Sequence, residues 1–115
     1  MEQKAVLVKA RDLISEREHW IRDEIGRDAE GFAVEQGQLK NAICFCALGA
    51  YLRAVQVIQG DDTIVCPPEK FYEEMSALVR HVRPELRGYH PLVTFNDSHT
   101  HQEVLELFDA MIAEA

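Results

Sequence analysis

Cys46 together with the pair Asn96-Asp97 is the arrangement in this chain that best fits chemistry. A cysteine nucleophile needs a base and a setting that favours thiolate. The spacing works against that role. With Asn41 as the N-cap of a helix over 42–58, Cys44 takes the third helical position, nearer the positive end of the dipole than Cys46. Free cysteine is also among the most buried residue types, so the plainer reading of Cys46 is a small core side chain beside Gly49. No catalytic residue is assigned. The functional reading is a ligand-binding group of Trp20, Arg27, Cys46, Asn96 and Asp97. The competing reading is structural: Asn and Asp satisfy backbone donors at turns and helix starts. In that reading Trp20 is a core lid, and its indole N–H takes an acceptor from Asp97 or from a backbone carbonyl.

Metal chemistry is weaker still. Cys44 and Cys46 are two positions apart, so on a helix their side chains diverge by about 200°. Asp97-x-His99-x-His101 alternates as an extended ligand strand would, and zinc accepts both residue types. His101, however, already belongs to the first turn of a helix. No metal and no cofactor is assigned. Arg80, His81, Arg83, Arg87 and His90 form the one basic patch read from the sequence. It follows the C-terminus of a helix, where cations oppose the dipole.

Helices must position these residues. Val6, Ala10, Leu13, Ile14 and Arg17 follow helical spacing, which predicts a helix over 3–17. Residues 42–58 are apolar almost all round, which predicts a central helix with neighbours on several sides. Ala42, Cys46, Gly49 and Ala50 give that helix a small-residue face that lets another backbone approach, either internally or from a second copy. Cys66-Pro67-Pro68 starts a third helix, 67–82, since proline is tolerated in the first turn. Leu92 to Phe95 reads as a short extended segment. Thr100-His101-Gln102-Glu103 fits a capping box and starts the last helix, 100–113. Between Trp20 and Val34 the helical pattern breaks. Asp28 and Gly31 fit a tight turn there, and the segment is read as a small β-hairpin or extended arm.

Composition sets the frame. A chain of 115 residues, 47% apolar and 28% charged, is of single-domain size and can bury a real core. The net charge is −8, with five acids and no Lys or Arg over 96–115. That excess argues against broad binding to nucleic acid or anionic membrane. The longest apolar run, Ala42 to Leu52, falls short of the roughly 20 residues a bilayer needs. The first residues read as a helix and not as a signal peptide. Three cysteines without repeated spacing make poor disulfide partners, so a reducing cytoplasm is expected.

The order Trp20, Arg27-Asp28-x-x-Gly31, Cys46-Ala47-Leu48-Gly49-Ala50, Asn96-Asp97, then Thr100 before an acidic last helix, resembles a family of small bacterial and phage proteins. That family is catalogued as a domain of unknown function. Phe45 and Phe95 stand where it tends to have tryptophan, and Tyr51 where it has leucine. The resemblance covers most of the chain and thins between 55 and 92. It implies a shared fold and no activity.

The sequence is therefore read as one mainly α (α+β) domain over 1–115. Four helices are expected, the apolar one central, with a small β-hairpin. Trp20, Cys46 and the segment 95–97 are expected to cluster. The expected function is a non-catalytic protein-interaction or accessory role, linked to phage or mobile elements. The partner is a protein or a second copy, not nucleic acid or membrane. The alternative is a small enzyme or ligand-binding protein with a pocket around Cys46, Asn96, Asp97 and Arg27.

Overall fold

Ala47, Ala50, Tyr51, Ala54 and Val55 recur at helical spacing, and each needs cover from water. In the computed structural model, which describes residues 1–115, they lie on a helix, α2 (Ala47–Gln59), and all five are buried. The N-terminal helix α1 (Gln3–Leu13) packs along α2 through Val6, Leu7 and Ala10. Two further helices, α3 (Glu69–Val82) and α5 (His101–Glu114), add Met75, Val79, Val104, Leu107, Phe108 and Met111 to the same hydrophobic cluster. A short helix, α4 (Pro91–Ser98), contributes Leu92 and Phe95. Full burial of an aliphatic side chain stabilises by roughly 1.5–3 kcal/mol, so this shared core is what holds the helices together.

The only sheet has two strands, β1 (Gly26–Arg27) and β2 (Cys44–Phe45), paired antiparallel with Gly26 opposite Phe45. The protein is thus mainly α with a small antiparallel β element, as the sequence implies. Three details differ from expectation. First, β1 lies in the anticipated 20–34 segment, but its strand partner comes from 44–45; within the segment only Arg27 and Ala33 bridge. Second, the central helix starts at Ala47, not Ala42, and its N-cap is Cys46, not Asn41. Residues 44–45 stay extended because the backbone of β1 pairs with them. Asn41 instead ends a 3-10 stretch, Gln36–Asn41, and its amide bonds Gln38. Third, residues 91–98 are helical rather than extended. Pro91 occupies the first turn, and Leu92, Phe95 and Asn96 face inward at helical spacing.

The tight turn forms as its residues suggest. Asp28 Oδ1 accepts from the backbone N–H groups of Glu30 and Phe32, and Gly31 sits at φ 87°. α1 stops at Leu13, short of the expected Arg17, and residues Arg17–His19 form a separate 3-10 turn. α3 begins at Glu69 after Pro68, two residues later than the first proline suggests.

The capping box on α5 is complete. Thr100 Oγ1 accepts from Glu103 N–H at 3.2 Å, and Glu103 Oε1 accepts from Thr100 N–H at 2.9 Å. Thr100→Ala should lower stability by about 1 kcal/mol, seen as a lower denaturant midpoint at unchanged slope. The Thr100 backbone N–H, and after it the Thr100 hydroxyl, hold the Glu103 carboxyl below its ordinary value of 4.5. A depressed folded pKa gives stability that is present above the unfolded value and lost as pH falls through the folded one. Glu103→Gln should therefore flatten the acid side of the stability profile. A profile identical to the parent's would rule this out.

Candidate functional site

Asn96 lies on α4 and is fully buried. Its carbonyl oxygen accepts from Trp20 Nε1–H at 2.6 Å and from the backbone N–H of Ala47 at 2.9 Å. Its amide nitrogen donates to Ile21 O and to Asp97 Oδ1, both at 3.1 Å. A side-chain amide has two donors and two lone pairs, so every one is engaged. Ala47 N–H is one of the first-turn donors that a helix leaves without an internal partner. Asn96 supplies that partner from another element, and so ties the Trp20 segment, the start of α2 and α4 together.

Asp97 extends the tie. Its Oδ1 also accepts from Asp23 N–H at 3.0 Å, and Asp23 has φ 66°, the left-handed region that non-glycine residues avoid. The acceptor for the Trp20 indole is therefore Asn96, not Asp97 or a backbone carbonyl.

Cys46 is adjacent and 5% exposed. Its sulfur accepts from Gly49 N–H at 3.4 Å, the geometry of an N-cap side chain. A helix N-terminus and backbone donors favour thiolate. Burial opposes them and wins, pushing the Cys46 thiol above its ordinary range, and the charge of Asp97 adds to the rise. The N-cap position reverses the expected order of the two cysteines: Cys44 lies outside the helix, with Sγ 4.0 Å from Arg27 O. The small-residue face is used internally, where the carbonyl of Ile25 rests on Gly49.

Trp20, Cys46, Asn96 and Asp97 thus meet, but as a hydrogen-bonded junction. Arg27 does not join them. It is held bidentately by Glu24 at the surface, Nε to Oε2 at 2.5 Å and Nη2 to Oε1 at 3.0 Å.

A cleft of about 520 Å³ opens on the outer side of that junction. Arg17, Trp20, Ile21, Arg22 and Arg27 line one side. Thr100 and His101, at the start of α5, line the other. Of the five candidate residues, only Trp20 and Arg27 reach this space. The Trp20 ring carries the guanidinium of Arg17 at 5.1 Å and that of Arg22 at 5.3 Å. Arg22 also donates to the carbonyl of His99. Arg17 and Arg22 are not among the site candidates read from the sequence, where Arg17 counts only toward the first helix. The available signal was two arginines flanking the sole tryptophan, Arg17-x-x-Trp20-x-Arg22.

This cleft also corrects the sequence reading of one basic patch at 80–90. Those cations disperse: Arg80 bonds Gly88 O, His81 pairs with Glu114, and Arg83 stacks over Phe95. Asp97, His99 and His101 also take separate directions. His99 stacks on Phe95 with ring centroids 3.7 Å apart, while His101 Nε2 lies 2.6 Å from Ile14 O. No helix is long and apolar enough to cross a membrane.

A family model described as a family of unknown function (DUF6197) matches residues 1–114. No curated protein and no solved structure matches the chain.

Proposed function

The chain belongs to DUF6197, a family of unknown function, and from that premise, with no activity to carry over, we propose that residues 1–115 act as a single non-catalytic interaction domain. One observation carries the reading. The polar residues that looked most chemical are engaged in architecture: Asn96 uses all four of its hydrogen-bonding positions inside the protein. The buried Cys46 thiol, pushed up by desolvation, supports it further. A nucleophile needs the opposite shift. The reading includes a reducing cytoplasm, which three free thiols, Cys66 among them exposed, support.

Thiol labelling separates this from an enzyme built on Cys46. Cys66 should react promptly in the folded protein. Cys44 and Cys46 should react only as fast as the protein unfolds. Native-state modification of Cys46 at a rate near that of Cys66 would point to an activated thiol and overturn the proposal. The interaction role has its own test. A tagged chain at native expression in its host should retain a protein in stoichiometric amount, and a clean preparation of the chain alone would count against it.

A further inference from the structure

We propose that the cleft between the Arg17–Arg27 segment and the start of α5 binds a phosphomonoester group. The inference goes beyond the interaction role, because it names a site and a ligand chemistry.

The arginines carry the argument. Arg17 is exposed and takes part in none of the protein's four ion pairs. Its guanidinium rests over Trp20, which orients its N–H fork without occupying it. Arg22 is held over the same ring and by the His99 carbonyl, a neutral acceptor that leaves its charge uncompensated. Arg27 is balanced by Glu24 but keeps Nη1 unengaged. The Thr100 hydroxyl lies at the mouth of the cleft but is committed to the capping box with Glu103, so the arginines are the groups left to bind a ligand.

No carboxylate lines the cleft. Of the nearby acids, Glu24 bonds Arg27, Glu103 accepts from Thr100 N–H and Asp97 from Asp23 N–H, while Glu16, Glu18 and Asp23 are exposed and lie outside the lining. The wall of the cleft therefore presents cations and no anion, on a chain of net charge −8. That contrast selects the size of the ligand. The whole-molecule charge repels a long polyanion, whereas two uncompensated arginines, Arg17 and Arg22, with the Arg27 fork beside them, suit a compact dianion. Guanidinium forks match phosphate oxygens in pairs. The Trp20 ring is 5% exposed and covered by arginines, so it leaves no slot for a stacked base. Recognition then falls on the anionic group itself.

Trp20 is the only tryptophan, so its fluorescence reports directly on the cleft. The probes are inorganic phosphate, a short phosphoserine peptide, its unphosphorylated form, and acetate at matched ionic strength. A saturable change is expected with both phosphate-bearing probes, and none with the other two. Tighter binding of the phosphopeptide assigns the group to a protein segment. Equal binding assigns it to a small molecule. Arg17→Gln should weaken binding about tenfold, the scale of one charge-assisted hydrogen bond, with an unchanged unfolding midpoint. Arg17→Lys should fall between the two. No saturable response, an equal response to acetate, or unchanged binding in Arg17→Gln would overturn the site. Phosphate binding without a stoichiometric protein partner would sink the interaction role alone. A partner retained without any phosphate response would sink this site alone.

Discussion

Asn96→Leu should destabilise the protein by about 3 kcal/mol or more. The substitution leaves two buried groups without partners, Trp20 Nε1–H and Ala47 N–H, and a part-buried third, the Ile21 carbonyl. Each stranded group costs about 1–3 kcal/mol, because its desolvation is no longer offset. A domain of this size has only about 5–15 kcal/mol in total, so the variant should unfold at markedly lower denaturant. Trp20 fluorescence should shift as its indole loses its acceptor.

Asn96→Asp tests the same junction with a sign. The carboxylate keeps an acceptor for Trp20 and Ala47, but sets a charged oxygen against Ile21 O and Asp97. Burial raises the pKa of such a group, so the folded state binds a proton more readily than the unfolded one. The variant should therefore gain stability relative to the parent as pH falls from 7 toward 5. Once protonated, the side chain regains a donor for Ile21. If Asn96→Leu stays within 1 kcal/mol of the parent, or Asn96→Asp shows no pH trend, the junction is not what holds these elements together.

Gly49→Ala should be the other large loss, again about 2–3 kcal/mol. Two effects compete. Alanine improves intrinsic helix propensity over glycine by about 1 kcal/mol. Against this, a Cβ at position 49 would lie 1.8 Å from Ile25 O and 2.9 Å from Ile25 C. Those are backbone atoms leading directly into β1, so they cannot swing aside as a side-chain tip would. The clash wins. Gly26, the next residue, pairs with Phe45, and moving Ile25 therefore strains the sheet as well. Gly37→Ala is the control, because its added Cβ meets nothing nearer than Val65 Cγ1 at 3.9 Å. It should change stability by no more than about 0.5 kcal/mol. Equal behaviour of the two variants would show that close packing at Gly49 is not limiting.

Much of this protein was legible in local pattern. The apolar stripes of α1, α3 and α5 come from residues three and four apart, so periodicity finds them. Thr100 and Glu103 are close in sequence, and so are Asp28 and Gly31; the capping box and the turn follow from their side chains alone. The small face around Gly49 pointed to a close backbone approach, although not to Ile25. The meeting of Trp20, Cys46 and Asn96 was legible as an ordered series of motifs.

Other features were settled only by distant partners. Val93, Thr94 and Phe95 favour a strand locally, yet 91–98 is helical because Leu92, Phe95 and Asn96 must all face one core. Cys44 and Phe45 would continue a helix by composition, but β1 pairs with them and delays α2 until Ala47. That delay places Cys46 at the N-cap, a position the sequence assigned to Asn41. Arg17, Arg22 and Arg27 sit five apart, a spacing that matches neither helix nor strand. Their convergence depends on how the irregular segment folds back over Trp20 and onto the start of α5. The sequence alone determined which residues were amphipathic, capping or small. The tertiary structure alone decided that the cysteine and the Asn-Asp pair bind the fold together while Arg17 and Arg22 join Arg27 on the open cleft. The physical reason is range: caps and stripes are made by neighbours along the chain, whereas the junction and the cleft are made by groups some 75 residues apart, such as Ile21 and Asn96.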